Sequence, residues 1–114
     1  MHVTRLAAAP TYDPPHHVDM RCLRLQGHEA TPTEALWLGL SHLLPGGHTA
    51  FDASPLEKLY VVVEGEVTVI SDGGEAALRT LDSCRIAPGE RRRLENRTNR
   101  PASVLLAMPY PKPA

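Results

Sequence analysis

Cysteine is scarce in this sequence, and its spacing does not suggest a crosslinked or metal-clipped fold. The two cysteines, Cys22 and Cys84, stand in apparent strands with no C-x-x-C spacing, so we expect buried, reduced thiols. An excess of one charge is also missing, since 12 basic and 13 acidic side chains nearly cancel. Because there is no strong overall field, we predict no nucleic-acid partner.

Long apolar runs are missing as well. No run approaches the roughly 20 residues that span a bilayer, and the first residues lack the apolar core of a signal peptide. We therefore predict a cytoplasmic protein with no membrane partner. The 114 residues suffice for one domain with a single core, and the 8 glycines and 11 prolines favour many turns and little helix.

Short strands separated by turn residues are what the sequence does contain. Residues 56–63 and 67–71 predict two strands joined by a turn around Gly65, which would form a hairpin at the centre of the chain. Residues 72–74 (DGG) predict the next tight connection. The remaining segments bring the total to about eight to ten short strands, the pattern of an antiparallel sandwich or barrel.

Proline sets the first 19 residues apart from the rest. Pro10, Pro14 and Pro15 stand among polar neighbours, which predicts an extended arm over residues 1–19 and a single barrel domain over residues 20–114. The last six residues (PYPKPA) predict an extended tail.

The segment 35–44 alternates clearly between two faces. Three leucines and His42 share one face at the even positions 36–42. We assign this apolar face to the interior, which places His42 inside. Residues 45–47 (PGG) predict the end of the strand.

Two motifs resemble those of small single-domain cupins of the RmlC-like kind, over roughly residues 43–108. The family's first motif, G-x5-H-x-H-x3,4-E-x6-G, is matched at its final glycine by Gly65. Its second, G-x5-P-x-G-x2-H-x3-N, is matched by Pro88, Gly89 and Asn96. The resemblance implies an all-β fold, an antiparallel double-stranded β-helix or jelly-roll barrel. It also implies a homodimer formed by pairing outer sheets and exchanging N-terminal arms.

The family's metal ligands are not matched. The family's two histidines, its glutamate and its third histidine fall on Asp52, Ser54, Lys58 and Arg92. A lysine and an arginine carry positive charge and offer no lone pair at neutral pH. We therefore predict no metal and no cofactor at this site.

The resemblance implies that the same four side chains converge inside the barrel. Asp52 is expected to neutralise either Lys58 or Arg92, which leaves about one positive charge over. As ligand-binding residues, Asp52, Ser54, Lys58 and Arg92 then predict a pocket for a small anionic metabolite, a carboxylate or a phosphate. A structural ion-pair network with no ligand is the alternative.

The same pocket offers side chains for acid–base or covalent chemistry. Tyr60, two residues beyond Lys58 on the same face, is the candidate proton donor, and His42 is the candidate base. A lysine in such a cup also permits Schiff-base chemistry. A displaced metal site is a further alternative, built from His42, His48 and Asp52, with Cys84 as an optional fourth ligand.

Three functions fit these residues, and the sequence does not choose between an enzyme and a binder. The first is a metal-independent protein that binds or modifies an anionic metabolite, with Lys58, Tyr60 and His42 as catalytic residues. The second is a non-catalytic sensor or accessory cupin with a structural barrel. The third is a metal-dependent enzyme with displaced ligands, such as a dioxygenase, isomerase or decarboxylase.

Overall fold

Nine β-strands and one turn of 3-10 helix are the regular elements of this computed structural model, which describes residues 1–112. The 3-10 helix is Leu6–Ala8, and the strands are β1 (Thr11–Tyr12), β2 (His17–Gln26), β3 (Leu36–Thr49), β4 (Lys58–Glu64), β5 (Val67–Ser71), β6 (Gly74–Leu78), β7 (Ser83–Ile86), β8 (Arg92–Glu95) and β9 (Ala102–Pro109). The predicted all-β class is confirmed. Within this part of the chain, no helix has the length and apolarity needed to cross a bilayer. The last two residues of the predicted tail lie outside the described residues.

Every strand pairing in the described chain is antiparallel. The strands follow the order β6-β5-β8-β3-β9-β4-β7, with β2 also on β3 and β1 on β2. The long strand β3 pairs with β9 along its first part and with β8 near its end, so it joins two walls. The sheet thereby curls into a nearly closed barrel, the predicted jelly-roll architecture, with β6 and β7 at its two ends.

The interior of the barrel holds one buried cluster drawn from strands β3 to β9. Alternation along each strand sends every second side chain inward, where each large apolar side chain contributes about 1.5–3 kcal/mol of burial. The cluster consists of Leu43, Tyr60, Val62, Val67, Val69, Leu78, Ile86, Leu94, Ala102 and Val104. Tyr60 is the one member that carries a polar group, so it marks where the core meets the polar interior.

The predicted central hairpin is not formed. Although β5 follows β4 through the turn at Gly65, β4 pairs with β7 and β9, whereas β5 pairs with β6 and β8. Gly65 has a φ of 77°, and a Cβ there would lie 2.9 Å from the carbonyl oxygen of Pro101. The turn therefore needs glycine and carries the chain from one wall to the other. The next connection does form the predicted hairpin, with Ser71 opposite Gly74.

The strand that was predicted to end at residues 45–47 continues as β3 to Thr49. Gly46 takes a left-handed φ of 81°, and its N–H donates to the carbonyl oxygen of Asn96 at 2.8 Å. The N–H of Asn96 in turn donates to the carbonyl oxygen of Gly47 at 2.9 Å. These hydrogen bonds satisfy backbone groups that an exposed turn would have left to solvent, so the chain bends and continues.

The outer face of β3 is as apolar as its inner face. Leu43 belongs to the buried cluster and Trp37 and Ser41 line the interior cavity, so the odd positions face inward. The predicted inward orientation of His42 is therefore wrong. Its Nδ1 lies 2.7 Å from the Oγ of Ser103 on the outer side. Because both faces carry a row of apolar residues, alternation alone gave no sign of which one was inside.

The N-terminal segment is tied to the barrel rather than separate from it. Strand β1 lies within the predicted arm and pairs with β2, with Tyr12 opposite Cys22. The Nε2 of Gln26 donates to the carbonyl oxygen of His2 at 3.4 Å. The segment therefore runs along β2, and its residues 12–15 line the interior cavity.

Candidate ligand-binding site

The barrel contains a cavity of about 500 Å³. Its buried wall includes Ser41, Lys58, Tyr60 and Leu94, and its exposed rim includes Asp13, Pro15, His28 and Pro111. This volume falls within the range of sites that bind small molecules. The cavity can therefore admit a ligand the size of a metabolite.

Strand β4 brings two of the predicted site residues to the same wall of the cavity. Lys58 and Tyr60 are two residues apart and so point to one side of the strand, where they are 6% and 2% exposed. The Nζ of Lys58 donates to the Oγ of Ser54 at 2.5 Å. Burial, together with repulsion from Arg92, lowers the pKa of Lys58.

Arg92 reaches the cavity from the opposite wall, at the start of β8. Its Nε donates to the hydroxyl of Tyr60 at 2.9 Å. Its Nη1 donates to the Oγ1 of Thr49 at 3.2 Å and to the carbonyl oxygen of Ala50 at 3.3 Å. The two N–H donors of Nη2 meet no protein acceptor within residues 1–112. That end of the guanidinium is therefore available to a ligand.

Tyr60 lies on the same face of β4 as Lys58, and its hydroxyl contacts Arg92. Burial raises the pKa of its hydroxyl, although the nearby Arg92 acts in the opposite direction. The hydroxyl therefore keeps its proton at neutral pH. Because its oxygen accepts from Arg92, its own O–H can donate to a ligand in the cavity.

Neither Lys58 nor Arg92 has a carboxylate partner in the described structure. Residues 1–112 form seven ion-pair contacts, and none of them involves Lys58 or Arg92. The predicted neutralisation by Asp52 is wrong. Asp52 pairs with Arg92 through its backbone, while its side chain is exposed and so avoids the cost of desolvation. The cavity thus carries more uncompensated positive charge than the sequence predicted.

A second group of cavity residues was missed by the sequence patterns. The guanidinium carbon of Arg24 lies 3.5 Å from the ring centroid of Tyr12 and 4.6 Å from that of Trp37, and its Nε lies 3.2 Å from a carboxylate oxygen of Glu29. Alternation places Arg24 on the same face as Cys22, which is buried, so this charge could have been assigned to the interior. Tyr12 reaches the cavity only because β1 pairs with β2, which no local pattern indicates.

The family of the chain follows from a comparison with known protein families. The family model described as the cupin domain matches residues 39–108, which extend from β3 into β9. This chain belongs to the cupin family. The match includes Lys58, Tyr60 and Arg92, whereas Tyr12, Arg24 and Trp37 on the cavity wall precede it.

One relative and two solved structures match this cupin over nearly its whole length. It is 43% identical over 111 residues to a Mycobacterium tuberculosis protein named a beta-D-galactosidase, covering 97% of this chain and 96% of that one. The polyketide cyclase RemF from Streptomyces resistomycificus has a TM-score of 0.87 at 15% identity, covering 100% of this chain and 82% of that one. An RmlC-like cupin from Shewanella frigidimarina has a TM-score of 0.80 at 17% identity, covering 98% and 93%. The two structures share the fold.

The residues of this cupin do not fit the metal ion that the family's histidines and glutamate would hold. Lys58 and Arg92 stand in their places, and an ammonium and a guanidinium cannot ligate a cation. The alternative set is not assembled either, because His42 faces outward, His48 contacts a backbone carbonyl oxygen at 3.0 Å, and Asp52 is exposed. Nowhere in residues 1–112 do three His, Cys, Asp or Glu side chains group as a metal site.

Proposed function

We propose that the cavity of this cupin binds a small organic anion, whose carboxylate or phosphate is held by Arg92 and Lys58. The observation that carries this proposal is the pair of cations beside a cavity of about 500 Å³, neither of them in an ion pair within the described chain. Cations in a cavity wall are expensive unless an anion offsets them. A bound anion supplies that offset, and the free Nη2 of Arg92 supplies a directional donor.

The relative named a beta-D-galactosidase points to a carbohydrate as the rest of the ligand. Tyr12 and Trp37 line the same cavity and offer the aromatic surface typical of small-molecule sites. Most glycosidases hydrolyse their substrates with two carboxylates about 5–10 Å apart, and Asp13 is the only acidic residue in the described lining. The residues therefore favour binding of an acidic sugar over hydrolysis of a neutral galactoside.

D-galacturonate is expected to bind more tightly than D-galactose, by at least about tenfold. The two sugars differ in the carboxylate, which only the acid can place on Arg92 and Lys58. Isothermal titration calorimetry of both sugars at one ionic strength measures the difference. Equal affinities, or no binding of galacturonate, inorganic phosphate or other small carboxylates, would contradict an anion site. Binding without turnover would match the sensor or accessory role.

The second proposed partner is another copy of this chain, as the cupin resemblance implies. Leu36 and Leu59 lie on the outer face of the wall formed by β3, β9 and β4, where they are 57% and 48% exposed. The N-terminal arm, whose Leu6 is also exposed, lies against the edge of the barrel, where the carbonyl oxygen of His2 accepts from the Nε2 of Gln26 on β2. An apolar face with an adjoining arm suits a two-fold contact in which each copy covers the other.

The substitution Leu59→Glu is expected to convert this dimer into a monomer of 12.5 kDa, because two buried carboxylates would face an apolar partner surface. Light scattering after size-exclusion chromatography at micromolar concentration measures the mass. Val18→Glu is the matched control, since Val18 is 45% exposed but pairs with His48 at the other end of β3. A monomeric wild-type protein, or equal loss of dimer in both variants, would refute the proposed face.

A further inference from the structure

The amine of Lys58 is placed in the cavity as a reactive group would be. It lies on the inward face of β4, is 6% exposed, and has no carboxylate partner within residues 1–112. A structural lysine in a barrel wall normally ends on an acidic side chain that holds its proton. Here burial, together with repulsion from Arg92, favours the neutral amine.

Ser54 positions this amine without occupying its lone pair. The Ser54 hydroxyl donates to the carbonyl oxygen of Leu56 at 3.4 Å and accepts from the N–H of Leu56 at 3.3 Å. The Nζ of Lys58 therefore contacts an oxygen whose proton points elsewhere, and it must act as the donor in that contact. When Lys58 is neutral, its lone pair remains free to attack a ligand.

Arg92 and Tyr60 supply the other two groups that such an attack requires. The free Nη2 of Arg92 can hold a carboxylate beside the amine. A carboxylate on Arg92 cancels much of the repulsion between that guanidinium and Lys58, so burial of the amine is what still favours loss of the Lys58 proton. Tyr60, which keeps its own proton and lies beside Lys58 on β4, can donate that proton to a carbonyl oxygen.

We propose that Lys58 is an amine nucleophile that forms an imine with a 2-oxo acid bound in the cavity. The lone pair of the neutral amine forms a C–N bond to the carbonyl carbon, and the carbonyl oxygen takes a proton from Tyr60. The nitrogen returns one proton to the Tyr60 phenolate, which gives a carbinolamine. Tyr60 then protonates the hydroxyl, which leaves as water with its C–O bond while the nitrogen lone pair forms a C=N bond to Nζ, and the second nitrogen proton restores Tyr60. This inference rests on the proposed anion site, because Arg92 must hold the carboxylate of the 2-oxo acid.

Borohydride trapping tests the proposal, and the composition of the chain makes its result easy to assign. The sequence contains only two lysines, Lys58 and Lys112, and Lys112 is exposed. The protein is incubated with pyruvate, glyoxylate or 2-oxoglutarate and sodium borohydride, and the reduced adduct is located by intact-mass and peptide analysis. We expect modification of Lys58 to exceed that of Lys112 by at least roughly tenfold, and to disappear from Lys58→Arg.

A comparison with L-lactate separates failure of this inference from failure of the anion site. Lactate carries the carboxylate of pyruvate but no carbonyl, so it can bind but cannot form an imine. If both acids raise the melting temperature and no adduct forms on Lys58 with any of the three 2-oxo acids, the imine is overturned and the anion site stands. If neither acid raises the melting temperature and no adduct forms, both proposals fail. An adduct on Lys58 that Arg92→Met slows supports both.

Discussion

The substitution Arg92→Met is expected to weaken the binding of D-galacturonate by at least about 30-fold. Removing one partner of a buried, hydrogen-bonded charge pair typically costs about 2–5 kcal/mol, and each 1.4 kcal/mol is roughly tenfold in affinity. The variant lacks the two Nη2 donors, which contact no protein acceptor within residues 1–112 and are therefore the ones proposed to bind the ligand. Titration calorimetry or ligand-observed NMR measures the change.

The neighbouring arginine provides a matched control for this experiment. Arg93 lies on the same strand but faces away from the cavity, where it pairs with Glu95 at 3.1 Å. Arg93→Met removes the same charge without removing a ligand contact, so the affinity should stay within about twofold of the wild type. Arg92→Lys keeps the charge but loses the planar donors, so its affinity for the ligand should lie between those of Arg92→Met and Arg93→Met. Equal weakening by Arg92→Met and Arg93→Met would indicate a general field effect and would contradict the site.

Local sequence patterns were sufficient for the parts of the fold that depend on neighbours in the chain. The hairpin between β5 and β6 was predicted because its three connecting residues can adopt the turn that a two-strand connection needs. Lys58 and Tyr60 were placed on one face because alternation acts over two residues. Arg92 came from the motif resemblance, since its position relative to Gly89 matches the family's third histidine. Each of these predictions needed only one strand or one motif.

Two residues were predicted in the wrong orientation because their orientation depends on which wall a strand joins and on where that strand bends. His42 was placed inside because its face of β3 is apolar, but the outer face of this wall is apolar as well. Asp52 was placed against Lys58 or Arg92, yet its carboxylate stays in solvent while only its backbone meets Arg92. No short-range pattern distinguishes two apolar faces or sets the direction of a side chain near the mouth of a barrel. Such features require the assembled sheet.

The substitution Lys58→Met is expected to stabilise the folded protein while it removes ligand binding and imine formation. Replacing a buried, uncompensated cation by an apolar side chain of similar length should add about 1–3 kcal/mol, or roughly 4–10 °C in melting temperature for a domain of this size. The Ser54 hydroxyl loses the donor from Lys58, but it still donates to the carbonyl oxygen of Leu56 and accepts from the N–H of Leu56. Stability gained with loss of binding is typical of a functional residue.

The pH dependence of this stabilisation follows from the direction of the Lys58 pKa. Because burial and Arg92 lower that pKa in the folded state, the unfolded chain binds more protons between the lowered value and the ordinary value of about 10.4. The free energy of unfolding of the wild type, compared with that of Lys58→Met, should therefore rise with pH through this window. Below the window, the folded wild type should bear the full cost of burying the charged amine. The groups beside Lys58 do not offset this change, since Tyr60 keeps its proton and Arg92 its charge.

Thermal unfolding of wild type and Lys58→Met from pH 7 to pH 10 measures this difference directly. The variant should melt higher at pH 7, and the gap should narrow as the pH rises, because Lys58 in the wild type then gives up its proton without unfolding. Lys112→Met, which removes the exposed lysine, should change neither the melting temperature nor its slope with pH. A variant that melts lower than the wild type at every pH would show that Lys58 supports the barrel. In that case its unpaired charge would no longer argue for a ligand.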